Sequence, residues 1–282
     1  MDISVLGPLR INEGGISVVP SAGKPRQVLS LLALRGERVV QVSTLMEELW
    51  GDRIPRSAST TLQTYVLQLR NKIAAAQPRG SGRSPKELLV TCFGGYMLKR
   101  GSGRSDVEEF EAEATAGIAA HEAGDPRALT TLERALRLWR GPALVDVPHG
   151  RILQREVMSM EHLRMSVLEQ RIDAALRLGR QAALLPELSV LVAEHPMHEG
   201  FRAQLMLALY RTGNVSRALE EFQRLRAKLV EELGIEPSAR LRRLHLAMLA
   251  GDPTLDLVTD GGGVIRPRPY GAGLPESFST TV

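Results

Sequence analysis

A single cysteine, Cys92, occurs in the 282 residues. An intrachain disulfide is excluded, and a reducing cytoplasm is the expected compartment. Aromatic residues make up only 4% of the chain, against a hydrophobic content of 43%. That balance suits Leu- and Ala-rich helices and argues against a β-sandwich. No apolar run approaches the roughly 18 residues of a membrane span, and Met1-Asp-Ile-Ser carries no signal-peptide pattern. No membrane partner is expected.

Signatures of bond-making chemistry are missing as well. Neither Gly-x-x-x-x-Gly-Lys-Ser/Thr nor Gly-x-Gly-x-x-Gly after a strand occurs, and there is no Gly-x-Ser-x-Gly elbow. The six histidines include one close pair, His195-Pro-Met-His198. With Pro inside and no Cys or third ligand nearby, it marks a helix boundary rather than a metal site. Glu108-Glu109, Glu220-Glu221 and Glu231-Glu232 have arginines nearby and suit solvated helix faces with i,i+4 pairs. Trp139 and Tyr210 fall at apolar helical positions and suit a core. No catalytic residue, cofactor or metal is assigned, and no enzyme activity is expected.

One helical stretch lacks acid altogether: Arg56-Ser-Ala-Ser-Thr-Thr-Leu-Gln-Thr-Tyr-Val-Leu-Gln-Leu-Arg-Asn-Lys-Ile73. At about 100° per residue, Ala58, Leu62, Tyr65, Val66, Leu69 and Ile73 gather into one apolar stripe. The opposite face carries Thr60, Thr64, Leu67 and Asn71, flanked by Gln63, Gln68, Arg70 and Lys72. Amides, hydroxyls, a methyl-bearing side chain and flanking bases suit reading DNA edges and gripping phosphates. Charge points the same way. Residues 1–101 hold 14 Lys and Arg against 7 Asp and Glu, a net +7, whereas the remainder holds 22 against 25, a net −3. A basic N-terminal module favours a polyanionic partner.

Around this helix, Ile3–Leu6, Arg10–Ile11 and Ile16–Val19 suit a small β-meander. Pro25 opens a helical run, Arg26–Arg35, and Ser43 is the expected N-cap of a helix over Thr44–Trp50. The loop Asp52–Arg56 follows. After the acid-free helix come a flexible basic loop, Gln77–Pro85, and a hairpin of Glu87–Thr91 and Tyr96–Lys99. Strands, three helices and a hairpin make a winged helix-turn-helix over residues 1–101, with Lys99 and Arg100 available to phosphates. Residues 102–105 form the expected linker. Six helical segments follow over 106–253, and Gly179 and Gly213, 34 residues apart, match a tetratricopeptide-like hairpin array. The expected fold class is mostly α with a small β component. Residues 254–282 are rich in Gly and Pro, and a disordered tail is expected there.

The residues also carry a family resemblance. Leu62-Gln-Thr-Tyr-Val-Leu-Gln-Leu-Arg-Asn-Lys-Ile73 resembles the OmpR-type recognition helix, and Glu48-Leu-Trp-Gly-Asp52 resembles the segment before it. Leu138-Trp-Arg-Gly-Pro-Ala-Leu144, Leu207-Ala-Leu-Tyr-Arg-Thr-Gly213, Ala218-Leu-Glu-Glu-Phe222 and Glu231-Glu-Leu-Gly-Ile-Glu-Pro237 resemble the bacterial transcriptional activation domain. Together, over roughly residues 1–253, they look like a Streptomyces antibiotic regulatory protein. Larger members add an ATPase module or a phosphopeptide-binding domain, and the length here sets the expectation of neither.

The resemblance implies base reading by Gln63, Thr64, Leu67 and Gln68, and phosphate contacts from Trp50, Thr60 and Arg70. It also implies a wing at Thr91-Cys92-Phe93-Gly94-Gly95-Tyr96. Family wings usually carry a basic residue shortly before the Gly-Tyr pair, and Cys92 in that place supplies no charge. The implied function is activation of an antibiotic gene cluster from direct repeats near the −35 element. A second protomer, the sigma factor and RNA polymerase are the implied partners. By analogy, Asp52, Arg53, Ile54, Pro55 and Arg56 face the polymerase. Two other functions fit the residues: a protein-interaction adaptor, and a repressor that binds DNA without engaging polymerase.

Overall fold

The computed structural model describes residues 1–77 and 84–256. Most of the basic loop expected at 77–85, and nearly all of the expected tail, lie outside the described residues. The described residues form two compact units, one up to residue 168 and the other from residue 169 on.

The first unit opens with an antiparallel sheet of β1 (Asp2–Ser4), β2 (Arg10–Glu13) and β3 (Ile16–Ser17) in that spatial order. Then come α1 (Gly23–Leu34), β4 (Val40–Gln41), α2 (Val42–Trp50) and α3 (Ala58–Ala76). A short helix α4 (Pro85–Leu88) leads into the hairpin β5 (Leu89–Cys92) and β6 (Gly95–Leu98).

Three details depart from the sequence expectations. Ser43 does not cap α2: the N-cap is Gln41, and the Ser43 hydroxyl inside the helix meets Gln41 Oε1 at 3.5 Å. The hairpin starts at Leu89, because Pro85 with Ser84 as side-chain cap favours one helical turn first. The hairpin also has a third strand, β4, giving the order β4-β6-β5. Two residues carry too little pattern to be recognised as a strand.

The helix α3 buries Ala58, Leu62, Val66, Leu69 and Ile73, each at 2% exposure or less, with Tyr65 half-buried. Thr60, Thr61, Thr64 and Val66 are weak helix formers, each costing roughly 0.5 kcal/mol against Ala. Full burial of one Leu or Ile stabilises by about 2 kcal/mol, so packing decides the helix. Its partners in the core include Val28, Leu31 and Leu32 of α1, Leu45 of α2, and Leu89 and Leu98 of the hairpin.

Helices α5 (Asp106–Glu122), α6 (Ala128–Arg137) and the beginning of α7 (Arg151–Arg177) belong to the same unit. The expected linker is not a free tether. The Ile3 amide donates to Arg104 O at 2.8 Å, and the Arg104 amide donates to Asp2 Oδ1 at 3.0 Å. Asp106 then accepts the Val5 and Leu6 amides at 2.9 and 3.0 Å. Burial pushes the Asp106 carboxyl above its ordinary pKa despite these bonds. Trp139 packs edge-on against Phe110, centroids 5.4 Å apart.

The second unit is helical: the rest of α7, then α8 (Gln181–Glu194), α9 (Glu199–Arg211), α10 (Val215–Leu233) and α11 (Ala239–Ala250). Gly179 and Gly213, at φ +73° and +80°, sit in the turns that join helices at the 34-residue spacing. Each requires the left-handed conformation that glycine adopts without strain. α11 lies beyond the six helical segments of the sequence pattern, and Ser238 caps it by accepting the Leu241 amide. Glu220 and Glu221 both pair with Arg224 on the surface of α10, and Glu221 in addition pairs with buried Arg202. His198 is the N-cap of α9, and its Nδ1 accepts the Phe201 amide.

Candidate nucleic-acid interface

The interface is built on α2, α3 and the hairpin of the first unit. On α3, Thr60, Gln63, Thr64, Leu67, Gln68, Asn71 and Lys72 are all exposed, and Leu67 shows 57% of its surface. This is the face opposite the buried stripe. Thr64 Oγ1 donates to Thr60 O at 3.0 Å. With its proton so engaged, the Thr64 hydroxyl keeps lone pairs for an incoming donor, and its methyl group is available for apolar contact. Gln63, Gln68 and Asn71 each combine an acceptor with two donors, the set that matches an adenine edge. The first turn of α3 contains no acid, so nothing there offsets the positive end of the helix dipole.

Arg70 sits differently from its neighbours. It is half-buried, and its Nε and Nη2 donate to Leu89 O at 3.0 and 2.8 Å. Nη2 also reaches Thr91 Oγ1 at 2.7 Å. The guanidinium thus ties α3 to the first strand of the hairpin, β5. Arg100 is likewise engaged: Nη1 lies 2.6 Å from Glu108 Oε1, and this bond raises its pKa above the ordinary value. Lys99 is exposed, its amide bonded to Leu88 O at 2.7 Å.

Trp50 is partly buried at the end of α2, with Lys24 Nζ 5.0 Å from its ring centroid. Lys24 is exposed and was missed in the sequence, since 26 residues separate it from Trp50 and no local pattern links them. Only the packing of α1 beside α2 brings this cation to the tryptophan.

In the wing, Thr91 and Phe93 are exposed, Cys92 is half-buried, and Gly95 and Tyr96 are buried. Phe93 and Gly94 form the turn, with Gly94 at φ +74° and Cys92 paired to Gly95. A Cβ on Gly95 would lie 2.3 Å from Val40 O, so the residue is required for β4 to approach. Asp52, Arg53, Ile54, Pro55 and Arg56 are all exposed. Asp52 pairs with Arg151 at the start of α7, one oxygen at 3.1 Å and the other closer.

A three-helix core, a helix with an acid-free exposed face and a three-stranded wing define a winged helix-turn-helix DNA-binding protein. Comparison with known proteins agrees. Residues 18–98 match the family model "Transcriptional regulatory protein, C terminal", and residues 105–249 match "Bacterial transcriptional activator domain". The regulatory protein DnrI of Streptomyces peucetius is 51% identical over 257 residues, covering 91% of this chain and 94% of DnrI. The transcriptional regulator RedD of Streptomyces coelicolor is 35% identical, covering 90% of this chain and 72% of RedD. Among solved structures, Mycobacterium tuberculosis EmbR in complex with a low-affinity phosphopeptide superposes with a TM-score of 0.81 at 32% identity. That match covers 89% of this chain and 65% of EmbR. The chain belongs to the family of Streptomyces antibiotic regulatory proteins, and it is a DNA-binding transcriptional regulator.

Among the described residues, no helix is long and apolar enough to cross a membrane.

Proposed function

We propose that the chain is a cytoplasmic activator of an antibiotic biosynthetic gene cluster. It binds direct repeats near the −35 element and recruits RNA polymerase holoenzyme. The observation that carries this proposal is the exposed face of α3, where Gln63, Thr64, Leu67, Gln68 and Asn71 stand free of acid while the opposite stripe is buried. Gln63 and Gln68 bond adenine edges, and Leu67 with the Thr64 methyl contacts thymine methyl groups. Lys72, Lys99 and Thr60 grip phosphates, with Lys24 and Trp50 at the end of α2. Arg70 and Arg100 contribute through the bonds that hold the wing and its exit strand.

One recognition helix spans too few base pairs to find a site in a genome. Two protomers therefore occupy tandem repeats. The exposed loop Asp52–Arg56 and the segment 106–253 supply the surfaces for the sigma factor and polymerase. The domains of this activity are residues 1–101 for DNA and 106–253 for activation, joined through 102–105.

In vitro transcription with purified holoenzyme on a footprinted promoter tests the proposal. Stimulation that requires both repeats supports it. Occupancy that blocks transcription identifies a repressor instead, and failure to retard any duplex identifies an adaptor.

A further inference from the structure

Phe93 at the wing tip has a relative exposure of 106%, whereas the next most exposed large apolar side chain among the described residues, Leu246, reaches 62%. The turn that presents it is stiff. Cys92 pairs with Gly95, the Val42 amide donates to Gly94 O at 2.9 Å, and Gly95 is wedged against Val40. The turn is also tied to the recognition helix, since Arg70 of α3 bonds Thr91 two residues before the ring. From Thr91 to Tyr96 the tip carries no charge.

We propose that Phe93 packs its ring against the deoxyribose walls of the minor groove beside the major-groove site of α3, anchoring the wing by apolar contact. This rests on the DNA-binding role of α3. A phosphate or a base edge would call for charged or strongly hydrogen-bonding side chains, and the exposed side chains of the tip are the Phe93 ring and Thr91, whose hydroxyl accepts from Arg70. The sugar C–H surface is the part of the groove that an uncharged ring complements. Wedging between bases would instead cost a few kcal/mol of unstacking per step, and groove-wall packing avoids that cost.

The probe is the duplex that the full chain selects from a randomised pool. Because the ring is solvent-exposed, Phe93→Ala leaves the fold intact, and the thermal midpoint checks this. Phe93→Ala is expected to weaken binding by about fivefold to tenfold, the scale of losing one partly buried aromatic contact. The slope of log affinity against log salt stays unchanged, and the hydroxyl-radical protection of sugars on the wing side is lost. Phe93→Leu recovers part of the affinity. Phe93→Lys binds through phosphate instead and steepens the slope by about one.

Wild-type affinity and unaltered sugar protection in Phe93→Ala would overturn the proposal alone. A bright 2-aminopurine signal on binding would overturn groove-wall packing in favour of base-step insertion. Loss of polymerase stimulation with DNA affinity unchanged would assign the ring to a protein partner and also overturn it. If the full chain enriches no duplex, the role of α3 falls together with this one.

Discussion

The carboxylate of Glu48 accepts a hydrogen bond from the Ile152 backbone amide at 2.9 Å, across 104 residues of sequence. The same oxygen takes the Leu153 amide at 3.0 Å, and the other takes Gly150 N at 2.6 Å and Gln27 Nε2 at 2.7 Å. A side chain of the helix-turn-helix thus caps the N-terminus of α7, where the first amides have no intrahelical acceptor. Glu48 is only 2% exposed, so its four donors satisfy a charge that would otherwise be costly to bury.

Glu48→Ala strands those donors at the start of α7. Removing one partner of a buried charged network costs roughly 3 kcal/mol or more. A fall of that size in denaturant-derived stability is expected, with smaller loss in Glu48→Gln. A change under 1 kcal/mol on the same measurement would show that the cap contributes little.

Base reading by α3 predicts position-specific effects. Gln63→Ala and Gln68→Ala should each relax preference at one base pair, with discrimination reduced by about 1–3 kcal/mol. Binding to a panel of single-substitution duplexes measures this. An equal loss on every duplex would show that these amides do not read sequence.

Phosphate contacts predict a different signature. Lys72→Ala and Lys24→Ala should weaken binding to all duplexes alike, each lowering the magnitude of the salt slope by about one. Arg70→Ala should instead lower the melting temperature, because the wing loses the bonds at Leu89 and Thr91. A Lys24 variant with an unchanged salt slope would remove that residue from the interface.

Gly95→Ala should loosen the wing, because its Cβ would stand 2.3 Å from the Val40 carbonyl. The β4–β6 pairing must part to admit it. Faster hydrogen exchange at the Val40 amide relative to wild type is the expected observation; unchanged exchange would mean the strands yield without separating.

His245 is expected to contribute to the pH dependence of stability. Its ring stacks on Phe222 with centroids 3.9 Å apart, and burial holds its pKa below the ordinary 6.5. The folded state therefore binds a proton less readily than the unfolded state. Its stabilising contribution is complete above pH 6.5 and is lost as pH falls through the lower folded value. His245→Phe should flatten the decline in melting temperature over that window; an identical decline would assign it to other groups.

Much of this protein was legible in one dimension. The stripe of α3 and the split of charge between the first hundred residues and the rest depend only on residue type and spacing. So does the 34-residue separation of Gly179 and Gly213. Helical periodicity and glycine conformation are local properties, and local properties survive in a sequence. Ser43 lies two positions past the N-cap Gln41, and a good capping residue inside the first turn looks the same in sequence as one at the boundary. β4 is two residues long and exists only because β6 lies beside it.

The sequence by itself determined which face of α3 is free and which is buried, since hydrophobic spacing at 3.6 residues per turn sets both. Tertiary structure alone decided what the charged side chains do. Arg70 bonds the first strand of the wing, Lys24 arrives at Trp50, and Glu48 reaches across 104 residues to cap α7. A long side chain can serve water, a phosphate or a distant backbone amide. Which one it meets depends on the packing of elements far apart in the chain, and no local pattern records that.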